Sequence, residues 1–200
     1  DTSMRTATDV FGEWAIAGKD AGMETGHAPA VQAMLAAAEP HLPDNFSAID
    51  LGCGNGWVVR LLEAMGASHA AGVDGARAMI DKARAIDPAG SYHCELLPDW
   101  APPHKVDLVH SMEFLYYLED PASMIQAIHD HWLNPGGILV MGVDHYAEHE
   151  ASLAWPEHVG VAMTTLTTHE WRAAILQAGF EVKQIQSDEV TLIYIGLKNN

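Results

Sequence analysis

The segment Ala48-Ile49-Asp50-Leu51-Gly52-Cys53-Gly54-Asn55-Gly56 constrains this chain more than any other, because an apolar run, an acidic residue and three alternating glycines directly precede a helical pattern. Glycines at such a turn take positive φ and let the backbone approach a ligand, while the unpaired N–H groups of the following helix face the same point. The segment therefore reads as the strand, loop and helix start of a site for a nucleotide-like ligand. A second apolar run, Ala70-Ala71-Gly72-Val73, ends in Asp74, about 20 residues beyond the loop, where a carboxylate can accept both hydroxyls of an adenosine ribose.

The spacing separates two classes of ligand. Dinucleotide loops use G-x-G-x-x-G, whose last glycine lets the helix pack closely while its N-terminus holds a pyrophosphate. Here the order is G-x-G-x-G, and Trp57 stands where that last glycine would be. Asp50, close to the loop, suits a ligand carrying an ammonium better than one carrying a diphosphate.

These residues resemble motif I of the class I methyltransferases that use S-adenosylmethionine (SAM). Asp50, Gly52, Gly54 and Gly56 match its acidic-x-G-x-G-x-G pattern, and Asp74 matches the acidic residue at the end of that family's second strand. The run Lys105 to Ser111 resembles the fourth strand, and Trp132 to Val140 the helix end, turn and fifth strand, so the resemblance covers about residues 46 to 143. It implies a Rossmann-like seven-stranded sheet in the order 3-2-1-4-5-7-6 with strand seven antiparallel. It also implies SAM as cofactor, S-adenosylhomocysteine (SAH) as its product, and cofactor contacts from Asp50, Gly52, Cys53, Gly54, Asp74, Gly75 and His110. For adenine the family often uses a residue after strand three; no Asp occupies the usual place, so Glu95 and Leu96 are the candidates.

The pattern of the rest of the chain agrees with a doubly wound, mainly parallel α/β sheet. Strands are expected near 47–51, 69–73, 91–95, 106–110 and 137–143, alternating with helices near 56–65, 76–85 and 121–133. Asp120 and Pro121 specify a helix start, Thr167 and Glu170 form a capping-box pattern, and Gly179 ends the helix they open. Ahead of the glycine loop, helices are expected at about 7–19 and 29–38, joined by a connection that carries Gly22, Met23, Glu24, Gly26 and His27. The segment Asp144 to Thr165 is long for a connection and is expected to cover a site. Strands at 181–186 and 191–197, joined by Ser187-Asp188-Glu189, close the sheet as an antiparallel pair. The expected organisation is a single methyltransferase domain over 1–200: an N-terminal helical cap (1–45), a SAM-binding half (46–143), and a cap segment with closing strands (144–200).

Composition bounds the partners. With 48% hydrophobic residues the chain can build a proper core. The 27 acidic against 10 basic residues give a net charge of −17, a field that repels polyanions, so nucleic acid and anionic membranes are poor partners and small neutral or cationic molecules remain. The same acidity also fits salt adaptation or solubility. Two cysteines argue against a disulfide framework and a structural zinc. No apolar run reaches the length of a membrane span, and the expectation is a cytoplasmic, soluble monomer or homodimer.

Methyl transfer from a sulfonium is an in-line displacement, so the protein mainly supplies alignment and a dry cavity, and a base is needed only when the acceptor must lose a proton. The candidates for acceptor binding or catalysis are His27, Glu113, Tyr117 and His145, which fall in segments expected at the carboxyl edge of the sheet, where ligands bind in such folds. Each has a plainer reading: His27 as a helix-entry residue, Glu113 as a solvated side chain, Tyr117 as part of a short helix whose core face is Phe114, Leu115 and Leu118, and His145 as an exposed residue; the functional reading of Tyr117 is to wall the pocket or donate a hydrogen bond. His145 and His149 have i, i+4 spacing, but on an irregular segment this is a weak metal signal, and no metal is expected. An alternative function is a non-catalytic protein that binds SAM or SAH as a sensor or partner subunit. A nucleotide-dependent oxidoreductase is opposed by Trp57. The absence of an Asn-Pro-Pro-Tyr or Asp-Pro-Pro-Tyr tetrapeptide after strand four argues against methylation of adenine in DNA or of glutamine in proteins.

Overall fold

The computed structural model describes residues 4–186 and 190–200. In chain order the elements are α1 (Ala7–Ile16), α2 (Asp20–Ala38), β1 (Ser47–Leu51), α3 (Trp57–Ala64), β2 (His69–Asp74), α4 (Arg77–Ile86), β3 (Ser91–Cys94), β4 (Val106–Met112), α5 (Pro121–Ala127), β5 (Leu133–Val143), α6 (Trp155–Val159), α7 (Thr168–Ala178), β6 (Glu181–Gln186) and β7 (Leu192–Leu197). The seven strands form one sheet in the order β3-β2-β1-β4-β5-β7-β6. Only β7 runs against its neighbours, pairing antiparallel with both β5 and β6. This is the expected topology, and the connection expected at Ser187 to Glu189 lies outside the described residues.

Parallel strands buried on both faces need two apolar layers, and the side chains divide accordingly. Ile49, Leu51, Val73, Val109, Leu139 and Met141 join Ile125, Trp132, Trp171 and Ile175 in one layer, under α5 and α7. Ala48, Ala70, Leu108, Val140 and Ile193 join Val31, Met34, Val59, Leu62 and Ile80 in the other, under α2, α3 and α4. Adjacent residues such as Leu108 and Val109 thus serve opposite layers, as the two-residue period of a strand requires.

Local signals set the helix ends where they are strong. The Asp120 side chain accepts from Ser123 N (3.1 Å) and Pro121 opens α5. Thr167 and Glu170 form a complete capping box on α7, which Gly179 ends with φ of 111°. The expected turn Asn134-Pro135-Gly136-Gly137 lies inside the longer β5, where the register against β4 shifts between Val106 and Leu108 and Gly136 takes φ of 78°.

One expectation is corrected. Residues 20–27 are not a connection: α2 runs unbroken through Gly22, Gly26 and Pro29. Local propensity disfavours that stretch, but the Asp20 carboxylate is held by Lys82 Nζ at 2.6 Å and by Asn55 Nδ2 at 3.0 Å, and tertiary contacts outweigh weak propensity. Glu24 and His27 therefore sit on a helix.

Trp132 is fully buried in the layer under α5 and α7, in edge contact with Trp100. Trp132→Ala should lower unfolding free energy by about 3–5 kcal/mol, measured as a shift in urea midpoint at unchanged m-value.

Candidate active site

The loop after β1 carries Gly52, Gly54 and Gly56 at φ of 66°, 53° and 85°. At Gly52 the need for glycine is steric as well as conformational, because a Cβ there would lie 2.8 Å from the Phe114 ring. At Gly56, the N-cap of α3, a Cβ would lie 2.6 Å from the Tyr92 ring. The loop is thus pressed between two aromatic side chains from the β3 and β4 ends, and its backbone faces the cavity above the sheet.

That cavity has a volume of about 510 Å³, within the range of small-molecule sites. Asp50, Gly52, Cys53, Gly54, Asp74 and Gly75 line it on the β1 and β2 side. A smaller cavity of about 180 Å³ is lined by Glu95, Leu96 and Leu97 and shares Thr8, Asp74, Gly75, Phe114 and Tyr117 with the first. Asp74 therefore stands where the two meet. Its Oδ2 accepts from Gly54 N (2.9 Å) and its Oδ1 from Ala76 N (2.8 Å). Burial pushes its pKa up, and those two backbone donors act against the rise.

Asp50 lies at the cavity floor and pairs with His110, whose Nδ1 is 2.7 Å from Asp50 Oδ1. Burial raises the Asp50 carboxyl, with the His110 charge opposing it. His110 lines neither cavity and is fully buried, with Nε2 lacking a hydrogen-bond partner among the described residues. The expectation of a direct cofactor contact from His110 is corrected: the register places it beside Asp50 on the neighbouring strand, beneath the loop.

The β4 and β5 ends form the opposite side. Glu113 takes the left-handed conformation (φ 56°), which strains a residue with a side chain. The strain turns its carboxyl inward, where Oε2 accepts from Tyr116 Oη (2.6 Å) and Oε1 accepts from Asp144 N. Burial, then the nearby Asp144 charge, pushes the Glu113 pKa up to about 8. His27 of α2, Glu113 and Asp144 bring their ligating atoms within 4.8 Å of one another. Burial lowers the His27 pKa, with Asp144 pulling the other way. Tyr117 lines both cavities and is in edge contact with Phe11, itself against Trp14 (centroids 5.2 and 5.0 Å). Burial raises the Tyr117 hydroxyl pKa.

His145 is the third correction. It is fully buried and absent from both cavity walls, with Nδ1 2.9 Å from Ser152 O and Nε2 2.7 Å from Thr165 Oγ1. Both nitrogens are used to fold the segment between β5 and α7. That segment instead reaches the large cavity through Trp155, Val159 and Met163, and it meets the N-terminus where Arg5 N donates to Gly160 O (2.8 Å).

Sequence reasoning missed Asp20, Asn55 and Thr8, which line the large cavity. Asn55 carried a signal, since it lies inside the glycine loop; Asp20 and Thr8 reach the cavity through the packing of helices far from the loop in sequence. Among the described residues no helix is long and apolar enough to cross a membrane.

A glycine loop closing on a strand-end carboxylate at the switch point of this sheet defines a SAM-type class I methyltransferase fold. The methyltransferase-domain family model matches residues 23–185, and the chain belongs to that family. It is 34% identical over 101 residues to a trans-aconitate 2-methyltransferase of Azoarcus sp. (strain BH72), covering 50% of this chain and 40% of that protein. It is 30% identical over 129 residues to a trans-aconitate 2-methyltransferase of Methylobacterium radiotolerans, covering 64% and 46%. The chain thus spans less than half the length of the curated relatives it matches. Among solved structures it resembles the proposed methyltransferase in complex with the Haloferax volcanii Trm112 methyltransferase activator, with TM-score 0.83, 27% identity, and coverage of 99% of this chain and 100% of that one. The fold is also that of a SAM-dependent methyltransferase from Mesorhizobium loti, with TM-score 0.68, 24% identity, and coverage of 86% and 97%.

Glu113 sets a pH signature. An acid with a raised pKa holds, in the folded state, a proton that the unfolded chain releases, so its contribution is fully present below the ordinary pKa of 4.5 and is lost as pH rises towards about 8. Across that window the melting temperature of the wild type should fall more steeply than that of Glu113→Gln, measured by calorimetric scans at fixed ionic strength. Parallel curves would show that the carboxyl titrates normally.

Proposed function

We propose that this chain transfers a methyl group from SAM to a small-molecule acceptor held between the carboxyl ends of β4 and β5 and the helices above them. The observation that carries this reading is Asp74, already oriented by two backbone N–H groups, at the junction of a glycine-lined cavity and a smaller side cavity. The cradle fits the cofactor: bare glycine backbone lies where a Cβ would collide, carboxylates of Asp20 and Asp50 stand near the loop for an ammonium, and Glu95 and Leu96 border the side cavity for adenine. When bound, SAM supplies an electrophilic methyl group on a sulfonium.

The residues of the chain then have distinct tasks. Asp74 accepts the ribose hydroxyls through lone pairs left free by Gly54 and Ala76. Asp50, Gly52, Cys53 and Gly54 hold the amino-acid end, with His110 steadying Asp50 from below, and Gly75 lies beside the ribose where the two cavities meet. Phe11, Trp14, Met23, Trp155 and Met163, from α1, α2 and the segment after β5, close the cavity against water. His27, Glu113 and Tyr117 stand on the acceptor side. Residues 1–45 and 144–165 act together as the cap of a single catalytic domain. Two free cysteines suit a reducing cytoplasm, and the Haloferax likeness supports assays with and without a Trm112-type activator.

Hydrogen bonds to a charged group are worth about 1.5–3 kcal/mol each, so Asp74→Ala should weaken SAH binding by about one to two decades per ribose bond lost, read by calorimetry. Labelled SAM offered with a metabolite pool should yield a labelled small product. SAH binding without any turnover, alone or with the activator, would favour a sensor or partner subunit.

A further inference from the structure

Among the described residues, the lining of the large cavity includes Asp20, Asp50, Asp74, Glu113 and Asp144 but no lysine or arginine. A pocket for a carboxylate acceptor needs cationic or multiple N–H donors to replace the water it strips away, and this one offers acceptors instead. Asp20, Asp50 and Asp74 lie on the glycine-loop side. Glu113 and Asp144 lie across the switch point, at the ends of β4 and β5; these strands are two and three places from β2, which ends in Asp74, or about 10 and 14 Å at ordinary strand spacing. The second group therefore serves the acceptor rather than the ribose. There His27, Glu113 and Asp144 converge within 4.8 Å, and the same cavity is lined by Phe11, Trp14 and Tyr117, the Phe11 ring being in edge contact with Trp14 (centroids 5.0 Å) and with Tyr117 (5.2 Å). A carboxylate such as Asp144 in a cavity that also presents aromatic rings forms an environment that favours organic cations.

We propose that the acceptor is an amine, its nitrogen held between Asp144, His27 and Glu113 and its hydrocarbon body against Phe11, Trp14 and Tyr117, and that carboxylate acceptors such as trans-aconitate are excluded. This rests on the methyltransferase reading above. An amine enters as its ammonium form, drawn by Asp144, and one N–H proton passes to His27. Burial lowers the His27 pKa against the pull of Asp144, and a ring nitrogen of His27 lies within 4.8 Å of both carboxyl groups. The lone pair so freed on nitrogen forms the new N–C bond as the C–S bond breaks and its electron pair stays on sulfur. The products are a thioether and a methylated ammonium that carries the charge formerly on sulfur, so no oxidant or reductant enters. Glu113, raised to about 8, remains protonated at neutral pH and adds no second charge beside Asp144.

The test uses the full chain. SAH is titrated first by calorimetry; failure there would count against the methyltransferase reading itself. The SAH-saturated protein is then titrated with 2-phenylethylamine, tryptamine, 3-phenylpropanoate and trans-aconitate, following tryptophan fluorescence. The amines should bind at least about tenfold more tightly than 3-phenylpropanoate, the difference made by one charge-assisted contact, with no measurable binding of trans-aconitate. Asp144→Asn should remove that preference while leaving SAH affinity unchanged, and His27→Gln should lower methylation of the amines more than their binding. Equal or tighter binding of either carboxylate, no binding of any amine, or an unchanged preference in Asp144→Asn would overturn the proposal. So would amine binding that requires magnesium and is lost with EDTA, since those three groups would then hold a metal.

Discussion

The buried pair of Asp50 and His110 is the contact on which the carboxyl edge of the sheet depends. The two residues are register partners on β1 and β4, the strands between which the chain changes direction and the crevice of a doubly wound sheet opens. A carboxylate only 3% exposed needs a partner, and His110 Nδ1 supplies one at 2.7 Å. Such a pair adds little net stability against an apolar alternative, but losing one member leaves a buried charge alone. A slip of one residue between β1 and β4 would therefore separate the pair and turn every side chain of the slipped strand to the other face. The glycine loop follows β1 and Glu113 follows β4 with no slack, so the register fixed there places both halves of the site.

Asn55 carries that order into the helices above. Its Oδ1 accepts from Trp57 N, its backbone carbonyl accepts from Arg60, and its Nδ2 donates to Asp20 at the start of α2. Lys82 of α4 reaches the other oxygen of Asp20. One amide thus ties the loop conformation to the start of the helix that brings His27 to the cavity. Asp20 is 8% exposed, so these bonds are made where water competes weakly and charge-assisted contacts keep more of their strength than at the surface. The glycines of α2 are tolerated because the helix is anchored at its first turn by tertiary bonds.

What the sequence disclosed, and what it withheld, follows from the range of the forces involved. The strands, the glycine loop, Asp74 and the caps at Asp120, Thr167 and Gly179 are short-range patterns, each readable from a few adjacent residues. The continuity of α2 was not, since Gly22, Gly26 and Pro29 argue locally for a break and only Asp20, bonded to residues far away in sequence, argues against it. His110 and His145 show the same limit. A histidine's position along the chain does not reveal whether its ring faces a cavity or a buried carboxylate, and both are spent on structure. Asp144 was legible as part of a segment expected at the carboxyl edge, but its contact with His27 and Glu113 was not, because that closeness arises from three separate elements. Glu113 stood out as an ionisable group after a strand, but its left-handed backbone and raised pKa come from packing.

Charge brings the same distinction to function. From composition alone, a net −17 fits solubility or salt adaptation as well as partner selection. Charges on the surface are screened beyond a Debye length of about 8 Å at physiological ionic strength, so they shape encounter more than choice. Carboxyl groups that line a cavity are screened less than those on the open surface. Asp144 and Glu113 are few against the acidic total, yet they line the cavity directly. Acceptor preference should therefore persist at salt concentrations that erase the long-range effect of the surface, and the acidity of the chain and the selectivity of its site are separate properties of the same composition.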